Sequence, residues 1–198
     1  MFAEVPLLVH LASVPYPSRM GTVKPPPRAK LLCGLLASDP DLMREAIRRL
    51  RARFGPTDLE SETWPFDRTD YYRVEMGEDI KRRFVFFEEL VSVERLAEVK
   101  RLTNDAEAHI CDDVLCPRER RPVNIDSGYM TLSKFVLATT KDYAHRIYID
   151  RGIFAEVTLH YAHGAWQPYP WTYPDYAADT YHAFFASARE KLKEQLRG

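Results

Sequence analysis

Three stretches of this chain hold the side chains whose types and spacing can do chemistry. Trp64-Pro65-Phe66-Asp67-Arg68-Thr69-Asp70-Tyr71-Tyr72 packs aromatics, prolines and carboxylates into what must be a loop, and Trp171-Thr172-Tyr173-Pro174-Asp175-Tyr176 repeats the mixture far down the chain. Loops shed large aromatic side chains unless these pack on something. Each stretch is therefore a rigid cover over a sheet, the commoner use, or one wall of a pocket. Asp67, Asp70 and Asp175, brought together, offer hard oxygen ligands to a divalent cation, or an acid and a base to a substrate. The third stretch, Thr139-Thr140-Lys141-Asp142-Tyr143-Ala144-His145-Arg146, puts Lys141, His145 and Arg146 where a phosphate or carboxylate can be met. Tyr71, Tyr72, Trp171 and Tyr173 are the aromatic contacts that would line such a site, and His145 joins the three aspartates as a candidate catalytic group.

Blander readings compete with these. Arg146 can pair across a hairpin with Glu156, an interaction worth well under about 1 kcal/mol, and His145 can turn to the apolar side. Glu156, Thr158 and His160 share one face of a strand, as a half-exposed sheet also requires. His160 and His163 point to opposite faces of a strand, so zinc is disfavoured. The specific templates are absent: no G-x-x-x-x-G-K-S/T, no G-x-G-x-x-G, no G-x-S-x-G and no H-E-x-x-H occurs.

Composition narrows the classes further. Lys plus Arg (28) nearly balances Asp plus Glu (29), giving a net charge of -1, so the bulk attraction of a dedicated nucleic-acid or anionic-membrane binder is missing. Hydrophobic residues are 45% and charged residues 29%, as in ordinary globular chains. Cys33, Cys111 and Cys116 form no CxxC pair, which suggests neither a disulfide framework nor a zinc knuckle but a reducing, cytoplasmic compartment. No apolar run reaches the roughly 20 residues that cross a bilayer. Met1 and Met20 both offer a start, and prolines at 15, 17 and 25–27 make residues 1–28 a loose extension ahead of a single domain over residues 29–198.

The elements that must position these residues follow from periodicity. Lys30-Leu31-Leu32-Cys33-Gly34-Leu35-Leu36-Ala37 reads as a strand covered on both faces. A helix capped at Ser38 carries Met43, Ala46, Ile47, Leu50 and Phe54 at helical spacing and stops at Gly55-Pro56. Strands follow near Leu59 and Phe84. A helix from Ser92 has the stripe Leu96, Val99, Thr103, Ala106 and Ile110, and a fourth strand follows near Val123. The order βαββαβ is that of an α+β, ferredoxin-like core, here extended by a helix over residues 131–141, a β-hairpin and a C-terminal helix. In the hairpin, Asp150-Arg151-Gly152 places Ile149 opposite Ile153, Ile147 opposite Ala155 and Arg146 opposite Glu156, with His145, Ile147 and Ile149 on the apolar side.

Several of these segments together carry a resemblance: Leu31 to Asp39, Phe54-Gly55-Pro56, Pro65-Phe66-Asp67 with Asp70-Tyr71-Tyr72, Asn124-Ile125-Asp126 with Gly128-Tyr129, residues 138–148, and Pro170-Trp171-Thr172-Tyr173-Pro174-Asp175-Tyr176. The chain from about Lys30 onward resembles a prokaryotic family catalogued as a domain of unknown function, DUF4416. The resemblance implies no mechanism. Thr140-Lys141-Asp142 also lacks the residue that separates Lys from Asp in guanine-reading N/T-K-x-D motifs.

The expectation that follows is a small-ligand-binding protein, or an enzyme, acting on a phosphate-bearing or carboxylated metabolite. Asp67, Asp70 and Asp175 would serve as acid/base groups or divalent-cation ligands, and Lys141 and Arg146 as anion contacts, where the three stretches meet. The alternatives are a non-catalytic interaction module using Trp166, Tyr169 and Trp171, and an RNA-binding module, for which net charge and the missing RNP-like stretch speak poorly.

Overall fold

The computed structural model describes residues 21–67, 69, 71–117 and 120–197; residues 1–20 of the expected extension lie outside the described residues, and 21–28 run exposed without helix or strand. Strand β1 (Ala29–Ala37) is buried along its whole length. It is followed by α1 (Pro40–Phe54), β2 (Thr57–Glu60), β3 (Trp64–Pro65), the single turn α2 (Arg73–Met76) and β4 (Lys81–Val91). A 3-10 turn at Val93–Arg95 then leads into α3 (Leu96–Asp113), and β5 (Val123–Met130), β6 (Lys134–Thr139), β7 (Ile147–Asp150), β8 (Ile153–Ala162), β9 (Ala165–Pro168) and α4 (Asp179–Gln195) complete the order. The strands form one sheet in the order β2-β4-β1-β5-β6-β8-β7, with β3 joined to β4 and β9 to β8; every pairing is antiparallel. This is an α+β architecture.

The central strands lack polar alternation because both faces are covered. On one face Met43, Ala46, Ile47 and Leu50 of α1 and Val99 and Ile110 of α3 pack on Leu31, Cys33, Leu35, Val85, Phe87 and Ile125. On the other, Tyr181, Phe185, Ala188 and Leu192 of α4 pack on Leu32, Phe84, Phe86, Phe135 and Leu159. The edge-to-face rings of Phe84 and Phe185, 5.0 Å apart, sit at the centre of that second core.

Four expectations need correction. The segment taken for a helix over 131–141 contains strand β6: Phe135, Val136, Leu137 and Ala138 are all buried, from both faces, so the run shows no strand period and its Leu-Ala content imitates a helix. The α1 cap is Asp39, whose carboxylate accepts from Asp41 N at 2.7 Å, while Ser38 donates to Met76 O at 3.0 Å. In the hairpin, Ile147 does pair with Ala155 and Tyr148 with Phe154, but an irregularity removes Ile149 from the ladder and Asp150 faces Ile153 across a two-residue turn with positive φ at Arg151 and Gly152. Ile147 is nonetheless 72% exposed. It shares a face with Ala155 and Val157, yet α3's cover, made with Leu96 and Ala97, extends only to Ile153, Ala155 and Val157 of β8, leaving the edge strand open. Finally, Cys111 and Cys116, expected free, are disulfide-bonded with Cα atoms 5.1 Å apart, within ordinary disulfide reach.

Candidate ligand-binding cleft

The cleft begins with a failure of strand pairing. β5 and β6 pair only from Gly128↔Leu137 to Met130↔Phe135. At Gly128 the two strands are so close that a Cβ would lie 2.2 Å from Val136 O, which only glycine tolerates. Toward the start of β5 the ladder stops, and the backbone groups of Ile125 lose their strand partner. Side chains of α3 replace it: Glu107 Oε1 accepts from Ile125 N at 2.7 Å and Lys100 Nζ donates to Ile125 O at 2.8 Å. Thr103 meets Ser127 hydroxyl to hydroxyl at 3.1 Å. Spacing i, i+3, i+7 keeps these three on one helix face, beside the apolar stripe. Burial pushes the Glu107 carboxyl above its ordinary pKa, although Lys100 and the Ile125 N–H both oppose the shift.

The resulting cleft, about 200 Å³, lies between these α3 groups with Asn104, the β5 residues Asn124 and Asp126 with Arg121, and an opposite wall of Thr139, Thr140, Lys141, Arg146, Glu156, Tyr72 and Tyr173. From Arg121, Asn124 and Asp126 a hydrogen-bonded polar chain runs out of the cleft to the buried Arg82 and Asp175. Arg121 Nη1 donates to Asn124 Oδ1 (2.5 Å), Asn124 Nδ2 to Asp126 Oδ1 (2.9 Å), Arg82 Nη1 to Asp126 Oδ2 (2.8 Å) and Arg82 Nη2 to Asp175 Oδ2 (2.7 Å). Burial works against the Asp126 carboxylate, but Arg82 and Lys100 outweigh it and hold its pKa below the usual value. For Asp175, burial outweighs the same guanidinium and the pKa is raised.

On the opposite wall Arg146 is held from three sides. Its Nε donates to Glu156 Oε2 at 2.7 Å, Nη1 to Lys141 O at 3.1 Å and Nη2 to the Tyr173 hydroxyl at 2.9 Å. His145 Nε2 lies 3.1 Å from the same Glu156 oxygen, and its ring stacks on Trp171 at 5.4 Å. His145 is therefore drawn to the buried Glu156, not to the apolar side where the register had put it. Lys141 is exposed, donates to the Tyr71 hydroxyl at 2.7 Å, and has no carboxylate partner among the described residues.

Of the residues singled out in the sequence, Tyr72, Lys141, Arg146 and Tyr173 line this cleft and Tyr71 reaches it through Lys141. Trp171 stands behind, its indole N–H on Val157 O at 3.0 Å and its ring stacked on Tyr169 at 4.7 Å, so this part of its loop is a cover over β8. Asp67 and Asp175 line a different depression, with Trp64, Thr180 and Tyr181, and Asp70 lies outside the described residues. Asp175 is 3% exposed and engaged by Arg82, and among the described residues no three His, Cys, Asp or Glu side chains are grouped to hold a metal. Two of the three aspartates expected to meet, Asp67 and Asp175, thus share one depression apart from the cleft. Lys100, Asn104, Glu107, Arg121, Asn124 and Asp126 were missed. The available signal was Lys100 and Glu107 flanking an apolar helix stripe, where a solvated face would not place them.

A family model described as a domain of unknown function (DUF4416) matches residues 27–192. No curated protein and no solved structure matches the chain.

Proposed function

We propose, for a chain that belongs to the DUF4416 family, that the cleft where β5 and β6 part binds a compact phosphate-bearing or carboxylated metabolite, whether for catalysis or for binding alone. The observation that carries this reading is Lys141: an exposed ammonium with no carboxylate partner among the described residues, at a polar cleft also lined by Lys100, held on Ile125 O, and Arg121, paired with Glu75. Thr139, Thr140 and Tyr173 add hydroxyls around it, a donor set suited to phosphate or carboxylate oxygens. The cleft is smaller than the roughly 300–1,000 Å³ usual for larger ligands, which favours a small anion or the anionic end of a larger one.

The order β2-β4-β1-β5, with α1 and α3 on one face, supports reading the first part of the chain as ferredoxin-like, and the cleft then lies where the added strands leave that core. A cytoplasmic setting suits a phosphorylated metabolite, although the Cys111–Cys116 disulfide removes the support the cysteines lent it; no described helix is long and apolar enough to cross a membrane. The interaction-module reading loses one of its three rings, because Trp166 is 3% exposed. The RNA reading needs an open sheet face for base stacking, and both faces of β1 are covered.

Thermal unfolding with sulfate, phosphate, small phosphomonoesters, dicarboxylates and divalent ions tests the proposal. A native-state ligand at 100 times its Kd adds about 2.7 kcal/mol. Stabilisation by the anions, lost in Lys141→Ala, is the expected result; no stabilisation by any of them sinks it.

A further inference from the structure

Three carboxylates line the cleft, an odd feature for a site that receives an anion. Two are already neutralised. Asp126 accepts from Arg82 and Asn124, and Glu156 accepts from Arg146 with His145 beside it. Glu107 differs: it forms no ion pair among the described residues, and only one of its oxygens, Oε1, accepts a hydrogen bond, from Ile125 N. Its neighbour Lys100 is turned to Ile125 O and is 8% exposed. Among the described residues Glu107 Oε2 is left without a hydrogen-bond partner, in a cleft that Lys141 also lines.

We infer that the cleft takes up its oxyanion together with one proton, carried by Glu107, whose Oε2 then donates a hydrogen bond to the bound anion. This rests on the anion-binding reading above and adds its proton stoichiometry and the residue responsible. The physical reason is the sign of the charge. As a carboxylate, Glu107 would repel the incoming anion; protonated from solvent, it becomes a donor on the same atom. Ile125 N holds the carboxyl in place in either state. The charged groups facing it are Lys100 from its own helix, Arg121 and Asp126 from the β5 side, and Lys141 and the Arg146–Glu156 pair across the cleft. Neither of the other two carboxylates can replace it as proton carrier without first giving up an arginine. Burial already favours the neutral form of Glu107 before any ligand arrives. An arriving anion favours it further.

Sulfate is the probe, because it remains a dianion across the working range while phosphate itself titrates. Calorimetric titration of the full chain in buffers of different ionisation enthalpy should show uptake of close to one proton per sulfate near neutral pH. Affinity should fall as pH rises through the range in which Glu107 of the free cleft gives up its proton, by up to about tenfold per unit. Glu107→Gln keeps an acceptor for Ile125 N and a permanent donor; it should bind sulfate with little pH dependence and no proton uptake. His145→Gln is the control, since the His145 ring nitrogen lies on Glu156 and not on Glu107; it should leave both signatures intact. Sulfate binding without proton uptake, or uptake that survives Glu107→Gln and vanishes in His145→Gln, overturns the inference while leaving the anion site standing. Absence of sulfate and phosphate binding at every pH overturns both. Where the Gln variant does not fold, the wild-type proton count and its persistence in His145→Gln decide.

Discussion

At the scale of single residues the cleft separates side chains that hold the structure from side chains that wait for a ligand. Lys141 belongs to the second kind. It is exposed, with only Tyr71, hydroxyl and ring, as side-chain partner among the described residues, so Lys141→Ala should change stability by no more than about 0.5 kcal/mol while removing the anion-induced rise in Tm. Arg146 belongs to both. Its side chain and that of Glu156 are 6% and 2% exposed, so Arg146→Ala leaves a buried carboxylate with only His145 and the Thr158 hydroxyl as partners among the described residues and should cost on the order of 3 kcal/mol. Adding Glu156→Gln to Arg146→Ala should recover much of that loss in denaturant titrations; a double variant as weak as the single one would refute the stranded-charge account. Asp126 gives the pH-dependent case. Its pKa is held below the ordinary value by Arg82 and Lys100 against burial. Its contribution is therefore fully present above the unfolded carboxyl range near 3.9 and lost as pH falls through the lowered pKa. Asp126→Asn should be less stable than the parent at neutral pH, and the two should converge in acid unfolding curves below about pH 4.

At the scale of elements, the parts that follow a clean period were legible and the parts defined by their neighbours were not. α1, α3 and α4 each carry one apolar stripe, and β1 and β4 are apolar enough to need no partner for recognition. β6 was misread because Phe135 to Ala138 is buried from both sides, which erases the period that separates strand from helix. β7 was paired correctly at Ile147↔Ala155, but whether a strand face is covered depends on how far α3 reaches, which no local pattern records. The same holds for the cleft: Lys141, Arg146, Tyr72 and Tyr173 stood out by composition, whereas Glu107 and Lys100 take their meaning from a ladder that stops at Gly128. That stop is itself testable. Because a Cβ at Gly128 meets Val136 O at 2.2 Å, Gly128→Ala must push β5 and β6 apart where they last pair. The expected cost is about 1–3 kcal/mol, with faster amide exchange at Val136 and Leu137 and weakened sulfate binding. Unchanged exchange at those amides would show that the two strands do not need their close approach.

At the scale of the whole molecule, two cores share one sheet, and the second depends on the last helix. Tyr181, Phe185, Ala188 and Leu192 are buried against the sheet face made by Leu32, Phe84, Phe86, Phe135 and Leu159. At roughly 1.5–3 kcal/mol for each large apolar side chain, α4 contributes on the order of 5–10 kcal/mol, comparable with the total stability of an average domain, about 5–15 kcal/mol. Its C-terminal end is also tied to β1 and β2. The buried ammonium of Lys30 donates to Gln195 Oε1 at 2.8 Å as well as to Asp58 at 2.7 Å, and Lys191 donates to Asp58 O at 2.7 Å. A chain ending at Ala178 should therefore lose more than one layer. It would expose Phe84, Phe86 and Phe135 together, leave Lys30 and Asp58 open to water, and loosen the loop whose Tyr173 hydroxyl accepts from Arg146. The expected outcome is a protein that binds a hydrophobic dye, shows no cooperative thermal transition and binds no sulfate. If the truncated chain instead melts cooperatively within a few degrees of the parent, the second core is not what holds the sheet. The weight of the fold would then rest on α1, α3 and the face they cover.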